Sequence, residues 1–213
     1  MGTRGAVGFR SENQDRVQYN HFDSYPSGLG QDVLTFISKS NIDDLQKIAS
    51  SIQLVNQDDV PSQSQIEDCQ KWTDLTVGEG TNESWYCLLR NAQGNLKAYA
   101  EGLKYMLDAH DFLIDSLFCE YAYIINVDTK ELEIYSGFNE KSRIRMGRYA
   151  KLQVEKGRPY DYYGVVLIQT IPLDKIIGAS ELDVSQMVKV MEKKCSSFRN
   201  RQEREMKKQK ELI

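Results

Sequence analysis

The sequence predicts an α+β domain, a mixed or antiparallel sheet packed with helices and finished by a long C-terminal helix. Three observations predict it. An alternating apolar hairpin opens the chain, β-branched and aromatic runs return at 121–135 and 160–171, and helical patterns fill the middle and the end. The regular strand–helix alternation of a doubly wound fold is absent. We divide the 213 residues into a single α+β domain, 1–178, and a C-terminal helix with a charged tail, 179–213.

Residues 3–10 carry Ala6, Val7 and Phe9, while 16–22 alternate Val17, Tyr19 and His21 with Arg16, Gln18 and Asn20. The polar link Ser11 to Asp15 makes this a hairpin. Gly2, Gly5 and Gly8 recur every third residue, out of step with a strand, which predicts bulges or close approach of another backbone. Tyr25-Pro26-Ser27-Gly28 must turn, because proline fixes φ and glycine admits positive φ. Val33, Leu34, Phe36 and Ile37 then predict a short helix. Asn41 caps a second, with Asp43 and Asp44 in its first turn and a stripe of Leu45, Ile48, Ala49 and Ile52.

Residues 56–65 read as a surface loop. Ser62 or Ser64 caps a helix running to Trp72. Trp85, Leu88 and Leu89 begin another helical run, broken at Gly94 and continued on one face by Leu96, Tyr99, Leu103 and Met106. Tyr121–Val127 and Leu132–Tyr135 form a second hairpin. Tyr160–Ile171, nearly continuously apolar, is expected in the interior of the sheet. From Ser180 the chain is helical, with Leu182, Met187, Val188, Met191 and Cys195 on the docking face. After Phe198 it holds six basic and three acidic residues.

Apolar residues make up 40% and charged residues 27%, ordinary for a soluble globular chain. A net charge of −4 supplies no global drive toward nucleic acid or acidic membranes, so either role needs a local patch. No apolar run approaches the roughly 20 residues of a membrane span, and no signal-peptide core follows Met1. A cytoplasmic location is expected, with virion association as its variant. The scattered Cys69, Cys87, Cys119 and Cys195 predict free thiols. His21 and His110 belong to no metal-ligand pattern, so neither a metal nor another cofactor is expected.

Asn20, His21, Asp23, Ser24 and Tyr25 are the densest group of acid, base and nucleophile side chains. They could form a Ser–His–Asp arrangement, which needs a base beside the nucleophile and a third group orienting it. The competing reading is an Asx or Ser turn that holds the bend. Arg143, Arg145, Arg148, Lys151, Lys156 and Arg158, interleaved with Tyr149 and Tyr160, could grip phosphate or carboxylate, or touch single-stranded nucleic acid. A solvated loop is the plainer and favoured alternative. The residues expected to bind a partner are Asn20, His21, Asp23, Tyr25, Arg143, Arg145, Arg148 and Tyr149.

The opening Met-Gly-Thr-Arg-Gly and the stretch Tyr19-Asn-His-Phe-Asp-Ser-Tyr-Pro-Ser-Gly-Leu-Gly30 resemble a group of phage, bacterial and fungal proteins of unassigned function. Trp85-Tyr-Cys-Leu-Leu-Arg90, Ala92-Gln-Gly94 and the 121–135 hairpin are similar to its fungal members. The resemblance implies a fold and an important loop, and no reaction. The order Thr3, strand, hairpin and polar second strand also resembles the start of N-terminal nucleophile hydrolases, although removal of Met1 would expose Gly2 rather than Thr3. Two functions follow. One is a non-enzymatic interaction or accessory protein, virus-associated or a subunit of a larger assembly, contacting a protein partner or a second copy through the C-terminal helix. The other is a small amide hydrolase using Thr3, or His21, Asp23 and Ser24.

Overall fold

Strands β1 (Gly5–Ser11) and β2 (Gln14–Asn20) form the opening hairpin of the computed structural model, which describes residues 2–140, 146–152 and 162–210. Its turn is only Glu12 and Asn13, both left-handed, at φ 54° and 61°. That geometry follows the twist of the strands but strains residues other than glycine. Asp128 offsets the strain, its carboxylate accepting both turn amides at 2.8 and 2.9 Å. The glycines mark close approach, as their spacing suggested. A Cβ on Gly5 would lie 2.5 Å from the Tyr121 carbonyl, and one on Gly8 would strike the Arg16 carbonyl.

Strands β5 (Tyr121–Asn126), β6 (Glu131–Ser136) and β7 (Val166–Pro172) complete a five-stranded sheet of order β2-β1-β5-β6-β7. The β1–β5 pair is parallel and the rest are antiparallel, so the sheet is mixed. β7 is an edge strand, not an interior one, and it starts at Val166; residues 160 and 161 of the expected strand lie outside the described residues. An apolar run reports that side chains are covered; it does not report neighbours on both edges. Leu167 to Thr170 are in fact only half-buried.

A helical turn, Pro26–Gly30, leads into α1 (Gln31–Ser38). α2 (Ile42–Ser51) is capped by Asn41, whose side chain accepts the Asp44 amide at 2.9 Å. α3 (Gln63–Cys69) carries a reciprocal Ser62–Gln65 cap. β3 (Gln53–Val55) and β4 (Tyr105–Leu107) make a small parallel pair that the periodicity did not predict. α4 (Trp85–Leu88) and α5 (Lys97–Ala100) are single turns. The expected stripe Leu96, Tyr99, Leu103, Met106 is buried throughout, but Gly102 at φ 103° ends the helix and Met106 lies in β4. α6 (Glu181–Lys210) closes the chain, capped reciprocally by Ser180 and Asp183.

Alternation along the strands gives the sheet two unlike faces. Val7, Phe9, Tyr123, Ile125 and Ile134 pack into the main core beneath the helices, and Val184, Val188, Met191 and Cys195 of α6 belong to that same core. Leu182, expected on this docking face, is 68% exposed. Ala6, Val17, Ala122, Ile124 and Tyr135 line the opposite face, covered by irregular chain bearing Leu113, Tyr149 and Val165. No helix among the described residues is long and apolar enough to cross a membrane.

All four cysteines are free and buried. Burial pushes the Cys69 thiol up to about 12 and Cys195 to about 11 from an ordinary value near 9, and raises Cys119 as well. These thiols keep their protons longer in the folded than in the unfolded chain. Their contribution to stability is therefore full below pH 9 and is lost as pH rises through 11 to 12. Ellman's reagent at pH 8 should find no rapidly reacting thiol in the native protein and all four after unfolding. Fast reaction in native buffer would mean the core opens where it is drawn closed.

Candidate functional site

The 20–30 loop is tied to the sheet at several points. Asn20 ends β2, and its Nδ2 donates to the Ser24 hydroxyl at 2.8 Å and to the Phe22 carbonyl. Ser24 is fully buried. Its amide donates to the Thr3 carbonyl at 3.1 Å, and its own carbonyl accepts from the Tyr123 hydroxyl at 3.0 Å. Asp23 sits at φ 52°, with its carbonyl accepting the Leu29 amide at 2.8 Å. Gly28 presses on that carbonyl so closely that a Cβ would not fit.

His21 points elsewhere. It is exposed, its Nδ1 lies 2.7 Å from the Tyr19 hydroxyl, and its ring meets Phe22 edge to face. No hydrogen bond joins His21 to Ser24 or Asp23 among the described residues, so the structure does not assemble a Ser–His–Asp relay from them. Thr3 enters this region through its backbone carbonyl.

Asp23 and Tyr25 instead face a cleft of about 460 Å³. Phe22, Asp23, Tyr25 and Asp32 form one wall, and Gln93 and Lys97 the other. Leu29, Val33, Phe36 and Leu96 contribute apolar surface. The far wall owes its position to Gly94, at φ 75°, whose backbone approaches the Asn20 side chain where no Cβ could be placed. Asn95 shapes the following turn by accepting the Lys97 amide at 3.1 Å. Among the described residues the carboxylates of Asp23 and Asp32 have neither a hydrogen-bond donor nor an ion-pair partner. Sequence reasoning did not place the 93–97 wall, although Gly94, read as a helix breaker and as part of the Ala92-Gln-Gly94 resemblance, was the signal for it.

The basic segment divides. Arg143 and Arg145 lie outside the described residues. Arg148 and Tyr149, expected at a binding surface, cover the polar end of the second sheet face. Arg148 donates to Glu133 at 2.7 Å and to Asp15 at 3.0 Å. The Tyr149 hydroxyl donates to Asp15 at 2.7 Å, and Asn126 and Tyr135 donate to Glu133 at 2.7 and 2.8 Å. Arg10 completes the group 3.1 Å from Asp15. Two carboxylates taken out of water need cations and donors around them, and these groups supply both. Burial and the Asp15 charge push the Tyr149 hydroxyl far above its ordinary range. These side chains are therefore taken up inside the fold.

The C-terminal helix stays docked beyond Phe198. Arg199 lies 4.1 Å from the centre of the Tyr121 ring and donates to the Glu120 carbonyl at 2.9 Å, and Gln202 is buried. Among the described residues no group of three or more His, Cys, Asp and Glu side chains is placed to hold a metal ion.

Fold and site together define an α+β protein with a polar, aromatic-rimmed cleft at the end of its opening hairpin. No protein-family model, no curated protein and no solved structure matches the chain.

Proposed function

We propose that this chain is a non-enzymatic interaction protein, an accessory module or a subunit of a larger assembly, which receives a protein partner in the cleft between the 20–30 loop and residues 93–97. One observation carries the reading: Phe22–Gly30 and Ala92–Gly94, two segments of the resemblance to the Met-Gly-Thr-Arg-Gly group, meet at the same cavity from distant parts of the chain. The chemistry suits a partner. Phe22 is 55% and Tyr25 38% exposed at its edge, and aromatic side chains of this kind anchor interfaces. Unpaired Asp23 and Asp32 call for a cationic group on the segment that binds. The outer face of α6, where Leu182 and Val190 are exposed, offers a second contact for a partner or another copy. The setting is the cytoplasm, including that of an infected cell.

Asp32→Lys and Tyr25→Ala test the cleft. Both change exposed side chains, so the melting temperature should fall by at most a few degrees, Asp32 lying in the first turn of α1, while capture of a protein partner falls by about tenfold or more through like-charge contact or a lost anchor. Unchanged capture in both variants would defeat the proposal. Amide-hydrolysing activity abolished by His21→Ala in a fully stable protein would defeat it too, and would favour the hydrolase.

A further inference from the structure

A second cavity, of about 310 Å³, lies beside the cleft, and Gln93 lines both. Gln18 and Tyr19 of β2, Tyr86 of α4 and Arg90 help form its walls. Arg90 uses one donor on the Gln93 side chain, at 2.6 Å, and has no carboxylate in ion-pairing range among the described residues. Arg4, stacked 4.6 Å from the centre of the Phe118 ring, likewise has none. Arg4 lies outside the cavity lining; its charge and that of Arg90 both favour the ionised Tyr19 hydroxyl, against burial, which raises it.

Gln18 adds a neutral donor. It is 5% exposed, and its Oε1 accepts from the Tyr99 hydroxyl at 3.2 Å, yet its Nε2 has no partner. A buried N–H without an acceptor is costly and uncommon. Asp108 is the one carboxylate in the described lining, and its Oδ1 already accepts the His110 amide at 2.9 Å. Arg90 is the one guanidinium in that described lining, and outside it the exposed Asp74 carboxylate also feels its charge. One guanidinium fork with a neutral amide donor beside it suits a singly charged, planar carboxylate better than a dianionic phosphate.

We propose that this second cavity holds a carboxylate of the partner, an Asp or Glu side chain, with Arg90 and Gln18 as its donors. This rests on the partner reading above and extends it. The segment that binds carries a cationic group for Asp23 and Asp32 and, a few residues away, an acidic one for Arg90. Guanidinium forks grip carboxylates through paired, charge-assisted hydrogen bonds, which supplies the specificity.

The test is a titration followed by amide NMR, with four probes: the blocked peptide acetyl-Ala-Glu-Ala-amide, its glutamine counterpart, glutarate and inorganic phosphate. The glutamate peptide should give saturable shifts at Gln18, Tyr19 and Arg90. The glutamine peptide, and the Arg90→Gln protein, should bind about tenfold more weakly or worse, and Arg90→Lys should recover part of the loss. No saturable shift, equal binding of the two peptides, or tighter binding of phosphate would overturn the carboxylate site. Tighter binding of glutarate than of the peptide would overturn its assignment to a protein partner. If Asp32→Lys and Tyr25→Ala leave partner capture intact while the glutamate peptide still saturates, the cleft reading fails alone. If they abolish capture and the peptide does not bind, only this inference fails.

Discussion

Replacing Arg148 by methionine is expected to lower the free energy of unfolding by about 3–5 kcal/mol, because it leaves buried carboxylates without their shared cation. The side chains of Asp15 and Glu133 are each only 7% exposed, and Arg148 bridges them. Without it Asp15 keeps Arg10 and the Tyr149 hydroxyl. Glu133 keeps Asn126 and Tyr135, two neutral donors, and no counter-charge among the described residues. Arg148 is itself 29% exposed, so water can partly replace it, which places the loss toward the lower end of the range. Urea unfolding measures it as a fall in midpoint with little change in slope. Adding Glu133→Gln should recover much of the loss, since the stranded charge is then gone. A single-variant loss below about 1 kcal/mol would show that the network is screened as a surface pair is.

Ending the chain at Ala179 is expected to abolish cooperative folding. Val184, Val188, Met191 and Cys195 are each between 0 and 6% exposed in the main core. Burial of such side chains is worth about 1.5–3 kcal/mol apiece, or roughly 6–12 kcal/mol together. That is comparable to the whole stability of an ordinary domain, about 5–15 kcal/mol. A cut after Phe198 is a much milder change. It keeps all four side chains and removes the Arg199 contacts with Tyr121 and Glu120, costing about 1–2 kcal/mol and a few degrees of melting temperature. Thermal scans of the two truncations should therefore differ in kind, one without a transition and one slightly shifted. A sharp native-like transition in the shorter chain would mean that residues 1–178 are a domain in their own right, with α6 an addition.

Some of the site was visible in advance. Asn20, Asp23 and Tyr25 stood out because they are crowded together in sequence, and all three line the cleft, while Asn20 also braces Ser24. Proximity misled for His21, because it lies just beyond the end of β2 with its ring against Tyr19 and Phe22, while Ser24 turns inward to Asn20 and Tyr123. Arg148 looked like one of a run of solvated arginines. Its role depends on Asp15 and Glu133, which reach it only when β2 and β6 are assembled in one sheet. Gln18 offered no local sign, and Arg90 stood out only as the end of the Trp85–Arg90 stretch, with nothing there to mark it as a cavity residue.

Features written at short range could be read from the chain alone. The opening hairpin with its polar link, the Asn41 cap, a cap at Ser62 or Ser64, the 121–135 hairpin and the start of α6 are all legible in residues close together in the chain. Only the tertiary structure decided that β1 lies parallel to β5, that β7 takes an edge, that Met106 is a strand residue and that two distant segments enclose one cleft. Apolar periodicity records which side chains leave water and is indifferent to which partner removes them. Pairing over long separations is therefore set by the packing of the whole chain.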